Sequence, residues 1–252
     1  MIVELIGSTG VGKSTVANRL LERLAEQQQP ALSSEQFVLR CYGLRLGWLR
    51  SRPVLSVLLD LLTFPWFIRF AARHTQLCWF MAGVAWRDLE PPLFRLNVLR
   101  NMAKQMGTHE LVRRNASPGD VVILDEGMVH QAHSLFVHPT HGPRPAELAW
   151  FLAKVPLPDL LVLVDGPTAA VVRRTLERGH PRLPGPRNVL AERLIGHAQH
   201  VFREVARQTA PHTTTALVWN AGRGRARLDA SLTDLLALLE SRAPSSRVTA
   251  DA

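Results

Sequence analysis

Nine residues near the start of the chain restrict its fold more than any others: Gly7-Ser8-Thr9-Gly10-Val11-Gly12-Lys13-Ser14-Thr15, with Gly7 and Gly12 bracketing the turn and lysine and two hydroxyl residues behind it. Such a stretch has a purpose only between a strand and a helix. There the glycines let the backbone turn with its N–H groups inward, and the following helix adds its positive end. Both neighbours are written in the sequence. Met1-Ile-Val-Glu-Leu-Ile6 is apolar and β-branched enough for a buried strand, while Val16, Leu20 and Leu24, with Ala17 and Leu21, recur at helical spacing. The stretch reads as a P-loop whose residues Gly7, Ser8, Thr9, Gly10, Val11, Gly12, Lys13, Ser14 and Thr15 cradle phosphate. Lys13 would reach the β- and γ-phosphates of ATP, and the Ser14 hydroxyl would ligate Mg²⁺.

The rest of the chain is sized for one domain around that loop. Its 252 residues are 46% hydrophobic, ample for a buried core, and disorder as the main state is excluded. Cys41 and Cys78 are the only cysteines and form no metal-ligand pair, which suits a reducing, cytoplasmic location. The first apolar run has no basic lead and flows directly into the P-loop, unlike a secretory signal. The formal charge of +9 comes almost wholly from arginine, since Lys13, Lys104 and Lys154 are the only lysines. No basic stripe interleaved with aromatics is visible, and there is one tyrosine, so the composition argues against nucleic acid as partner.

In chain order, the first helix is expected from about Gly12 to Gln27, stopped by Gln27-Gln28-Gln29-Pro30, and Phe37 to Tyr42 reads as the second strand. Residues 43–114 are helical in pattern, with Phe94 to Arg114 the clearest helix. Val54 to Phe70 and Leu77 to Trp86 are strongly apolar, but Asp60, Pro65 and Arg69 interrupt the first run, which favours core packing over a membrane span. An apolar acceptor pocket and a peripheral membrane contact remain the alternatives for this region. Asn115 to Asp120 is a turn.

Val121-Val-Ile-Leu124 then reads as a buried parallel strand with Asp125 at its carboxyl end, a Walker B-like carboxylate on the Mg²⁺ side. In open α/β sheets that end faces the ligand, so Asp125 and the P-loop should emerge together. Glu126 could act as a base toward an acceptor, or only cap a helix or pair with an arginine. His130 and His133 share a helical face, and His138 and His141 sit in a proline-containing loop; acceptor contact suits the first pair better than structural zinc. Pro156 to Asp165 is the next strand, after a proline-marked loop. After Gly166-Pro167, a helix carries Arg173, Arg174 and Arg178 toward a glycine- and proline-punctuated segment at 179–189 that holds Arg182. Guanidinium groups on a closing lid would stabilise a transferring phosphoryl group, whereas the bland alternative is a solvated basic helix and surface loop. A long helix from Val189 to Gln208, a strand from Thr213 to Asn220 and a closing helix from Leu228 to Ser241 complete the domain at 1–242, with 243–252 a frayed tail.

With all five strands placed, the chain resembles the P-loop nucleoside and nucleotide kinases, thymidylate kinase most of all. The resemblance rests on Gly7 to Thr15, Gly119-Asp120 leading into Asp125, Pro158-Asp159 leading through Asp165 to Arg174 and Arg178, and the last strand with its turn. It implies an α/β three-layer fold with five parallel strands in the order 2-3-1-4-5. It also implies a lid with Arg174, Arg178 and Arg182, and Asn220 to Gly222 near the adenine. Two departures stand out. Glu126-Gly127 follows the aspartate where thymidylate kinase has arginine, and no acid-bearing motif follows the expected second strand. The resemblance therefore carries the ATP half of the site and leaves the acceptor open among nucleosides, nucleotides, sugars and lipid-linked alcohols; a homodimer is also compatible with it. The reading is an ATP- and Mg²⁺-dependent phosphotransferase in which Lys13, Asp125, Glu126, Arg174, Arg178 and Arg182 carry the chemistry. A nucleotide-hydrolysing switch and a nucleotide-binding membrane-surface protein are its rivals. A GTPase is disfavoured by the absence of an Asn-Lys-x-Asp signature.

Overall fold

Five short aliphatic runs become the strands of one sheet: β1 (Ile2–Ile6), β2 (Ala31–Ser33), β3 (Val121–Leu124), β4 (Leu160–Asp165) and β5 (Thr214–Trp219). The computed structural model describes residues 1–44, 52–179, 188–220 and 225–242. All strand pairs are parallel, in the expected order β2-β3-β1-β4-β5. The central strand sets Ile2 beside Val122 on one side and Val3 beside Leu160 on the other.

Parallel neighbours require crossovers over the faces, and helices supply them. These are α1 (Lys13–Glu26), α2 (Ser34–Cys41), α3 (Arg52–Arg73), α4 (Thr75–Asp88), α5 (Pro92–Asn115), α6 (Gln131–Phe136), α7 (Pro145–Lys154), α8 (Thr168–Arg178), α9 (Asn188–Thr209) and α10 (Arg225–Arg242). Period-two alternation along β3 divides the core. Val121 and Ile123 join the main cluster, which also takes in β1, β4, α1 and α9, whereas Val122 and Leu124 pack with Phe37, Val38, Leu59, Leu111 and Val112 under α2, α3 and α5.

The second strand lies earlier than the sequence suggests. Phe37 to Tyr42 is not a strand; Phe37 to Cys41 belongs to α2, and β2 is the three-residue run Ala31–Ser33. A capping box decides it. The Gln36 backbone N–H donates to the Ser33 hydroxyl at 3.2 Å and the Ser33 N–H donates to the Gln36 side chain at 3.0 Å, so two otherwise free N–H groups at the helix N-terminus are satisfied. Phe37 and Val38 then point into the smaller core as helix residues.

α3 also departs from expectation, because Asp60, Pro65 and Arg69 do not interrupt it. It is long and apolar enough to cross a membrane, yet one side is fastened along α5. Asp60 pairs with Arg100, Arg69 and Arg73 pair with the buried Glu110, and the Thr63 carbonyl lies so close to Gly107 that a Cβ there would collide with it. The opposite side is not core: Val54, Val57, Leu61, Phe64 and Ile68 are each more than half exposed. Core packing thus describes only half of this helix. The 179–189 lid falls largely, and the 243–252 tail and Gly222 wholly, outside the described residues.

Candidate active site

The loop after β1 turns under α8 and the end of β5. Gly12 adopts φ 101°, a left-handed conformation that L side chains rarely take, and any Cβ on it would strike the Asn220 amide. Asn220 in turn donates from Nδ2 to the Val11 carbonyl at 2.8 Å, and the Thr175 hydroxyl on α8 donates to the Thr9 carbonyl at 3.1 Å. β5 and α8 therefore hold the loop from two sides. Asn220, expected near adenine, lies against the backbone of the phosphate loop, and its own backbone N–H donates to the Asp165 carbonyl at 2.8 Å. Asp165 is itself tied to Gln199 and Arg203 of α9, each at 2.8 Å.

Inside the loop, Lys13 is buried and its Nζ donates to the carbonyls of Gly7 at 3.0 Å and Ser8 at 3.4 Å. Burial pulls its pKa down, while the carboxylates of Glu126 and Asp125 push it back up and the charge of Arg178 opposes them. Lys13, Asp125, Glu126 and Arg178 thus feel one another across a single site. Ser14 Oγ donates to Asp125 Oδ2 at 3.3 Å, joining the end of β3 to the first turn of α1. This is the meeting that the topology demands, since both emerge at the carboxyl edge of adjacent parallel strands. Ser14 and Thr15 are exposed, and Ser8 is buried.

The donor set fits Mg²⁺. One hydroxyl and one carboxylate are hard oxygen ligands, and Mg²⁺ is commonly held by one or two protein oxygens with phosphates and water completing its shell. Among the described residues no group of three or more His, Cys, Asp or Glu side chains could hold a metal by itself. The histidines of the following segment stack instead: His130 and His133 lie 5.8 Å apart with nearly parallel rings, and His130 stacks on Phe202 at 5.2 Å.

On the other side of Asp125 the chain forms a cleft with two lobes. One lobe of about 480 Å³ is lined by Asn18, Ser34, Glu35, Ser56, Lys104 and Asp125 among others. A second of about 280 Å³ adds Asn101, Gln105, Thr108 and Glu126, and both contain Glu35, Lys104 and Asp125. Half of the Glu126 side chain is open to this cleft, with His130 Nε2 at 3.9 Å. The surrounding protein raises the Glu126 pKa by desolvation, Asp125 adds to the rise, and Lys13 and Lys104 oppose it. Burial first, then Lys13 and His133, hold His130 well below the usual imidazole value, so its ring is neutral.

Glu35 is a cleft-lining acid that sequence reasoning missed. With β2 ending at Ser33, an acid does follow the second strand after all, on the first turn of α2 and in the cleft. The Ser33-x-x-Gln36 spacing was the available signal, because it marks a helix start and therefore a strand end.

Of the arginines, Arg174 leans on the phosphate loop. Its Nη1 would lie 3.9 Å from a Cβ on Gly12, its Nε donates to the Ala170 carbonyl at 3.2 Å, and its buried Nη2 has no partner. Burial lowers its pKa, helped by Arg173. Arg178 is exposed at the end of α8, and Arg182 lies outside the described residues.

A parallel sheet ordered 2-3-1-4-5, with a Gly-Lys-Ser loop after its central strand and an acid at the end of the neighbouring strand, is the fold of the P-loop kinases. Among solved structures, the chain is similar to a deoxyadenosine kinase from M. mycoides with products dCMP and a flexible dCDP bound, at a TM-score of 0.52 and 13% identity over 96% of this chain and all of that one. It also matches a shikimate kinase from Acinetobacter baumannii in complex with shikimate, at a TM-score of 0.45 and 17% identity over 96% and 95% of the two chains. No family model and no curated protein matches the chain.

Proposed function

We propose that the chain is a phosphotransferase that moves the γ-phosphoryl group of Mg·ATP to a hydroxyl-bearing small molecule held in the cleft. One observation carries this reading: Asp125 faces two ways, toward Ser14 of the phosphate loop and into a cleft that also holds Glu35, Glu126 and Lys104. A phosphate site and an acceptor site therefore meet at one carboxylate, as in-line transfer requires.

In this reading the backbone of Gly7 to Thr15 holds the phosphates, and Lys13 and Arg174 neutralise charge on the γ-phosphoryl oxygens. Ser14 and Asp125 would hold Mg²⁺, which would offset the negative charge of the phosphates. The acceptor oxygen bonds to the γ-phosphorus as the bond to the β–γ bridging oxygen breaks and ADP leaves. Its proton passes to the Glu126 carboxylate, whose raised pKa suits a base. Glu35, Asn101, Lys104 and Gln105 orient the acceptor by hydrogen bonds.

The test is ADP formation from Mg·ATP by the wild type and Lys13→Ala, without acceptor and with a panel of sugars, nucleosides, nucleoside monophosphates and polyprenols. Formation that needs one acceptor class and falls at least about a hundredfold in the variant is the expected result. Equal formation without any acceptor would replace this reading with a hydrolytic switch.

A further inference from the structure

Glu4 is an acid in the middle of the central strand, and it is 1% exposed. A carboxyl group there is costly unless its oxygens are satisfied. One of them is: Oε1 accepts the His130 backbone N–H at 2.7 Å, while Oε2 is buried without a hydrogen-bond partner, and the backbone N–H groups of Val129, Met128 and Gly127 in the same turn draw the carboxyl pKa down. Consecutive main-chain N–H groups converging on one acid form the kind of concavity that binds anions elsewhere, filled here by a side chain of the protein itself. Approach is close enough that a Cβ on Gly127 would sit 2.6 and 2.8 Å from the two carboxyl oxygens. Burial pushes the Glu4 pKa up to about 8 against the pull of these four N–H groups.

The place of this turn in the chain gives the contact its meaning. It begins directly after Asp125 and Glu126, so whatever fixes residues 127–130 fixes the way the two acids leave β3. It also carries His130, whose ring stands beside Glu126. Glu4 lines neither lobe of the cleft and makes no hydrogen bond to the phosphate loop.

We propose that Glu4 is a positioning residue for the site: its carboxyl group moors the Gly127–His130 turn to the central strand and so sets the directions of Asp125 and Glu126. The kinetic half of this proposal rests on the phosphotransferase reading, and the mooring half on geometry alone.

The experiment compares wild type, Glu4→Gln and Gly127→Ala in the full chain. Three quantities are read: thermal unfolding, backbone amide exchange at residues 127–130, and the Mg²⁺ and ATP dependence of ADP formation. Glu4→Gln puts an amide N–H₂ among donors, and Gly127→Ala drives a methyl into the carboxyl group, so both attack one contact from opposite sides. In each folded variant the expected results are exchange at 127–130 faster by roughly a hundredfold, and a half-saturating Mg²⁺ concentration higher by about tenfold with kcat lower by about tenfold. The KM for ATP should change less than about twofold, because the phosphates are held by the loop after β1.

A purely structural acid would move the unfolding temperature alone. A folded variant with Mg²⁺ half-saturation and kcat within about twofold of wild type would therefore overturn the proposal, whatever its melting temperature. If Glu4→Gln does not fold, Gly127→Ala carries the same comparison. If the wild type shows no Lys13-dependent ADP formation, the phosphotransferase reading fails by itself. Amide exchange then decides the mooring, with unchanged protection at 127–130 in a folded variant overturning it and faster exchange supporting it.

Discussion

His109 on α5 is an imidazole with no hydrogen-bond partner at either nitrogen, set edge-on to the ring of Phe70 at 6.3 Å. Burial first, then the charge of Arg113, pushes its pKa down to about 4. The folded chain binds this proton less readily than the unfolded one. Its contribution to stability is therefore complete above about pH 6.5 and is lost as pH falls through about 4, some 3 kcal/mol in all. His109→Phe keeps an aromatic ring there and removes the proton site. Denaturant titrations from pH 7 to pH 4 should show the wild type losing about 3 kcal/mol more than this variant; equal losses would clear His109 of any part in acid lability. At this scale the sequence was legible where a residue's position follows from a local motif. Lys13, Ser14 and Asp125 stand where their motifs put them, with Ser14 and Asp125 in contact. Asn220 was less so, since its hold on Val11 depends on where two distant loops meet.

Helices show more plainly why some features could not be read in advance. Phe37-Val-Leu39 is as good a strand as a helix by composition, and β2 is only three residues long, too short to display alternation. The local cap outweighed the propensity, and misplacing one strand concealed Glu35. α3 failed to read for another reason. Both of its faces are apolar, so its sequence does not say which one meets α5. The structure makes the faces unequal, and that is measurable. Replacing Leu61 and Phe64 by Gln should leave unfolding free energy within about 0.5 kcal/mol per site, because both are more than half exposed. Phe70→Ala on the inner face should cost about 3–5 kcal/mol. Similar costs on both faces, measured by chemical denaturation, would mean that the outer face is covered.

For the whole molecule, strand order was the property best foreseen, because the resemblance to the P-loop kinases implied it. The cleft beside Asp125 was the least legible, because its walls come from α1, α2, α3, α5 and the end of β3, which no sequence window contains. The phosphotransferase reading also predicts a property of the entire fold. A ligand bound only by the folded state stabilises it by about 2.7 kcal/mol at a hundred times its Kd, which for a chain of this size is a rise in Tm of roughly 5–10 °C. Mg·ATP should produce that shift in the wild type and not in Lys13→Ala, as read by calorimetry.

The register of β1 has a consequence for how the chain is made. Ile2 and Val3 are synthesised well before their partners, Val122 and Leu160. At roughly 5–20 residues per second, several seconds pass in which an apolar strand has both edges open, the condition in which strands seek partners on other chains. The middle of the sheet is thus made before either of its flanks, and β4 in its turn keeps one edge open until β5 is made.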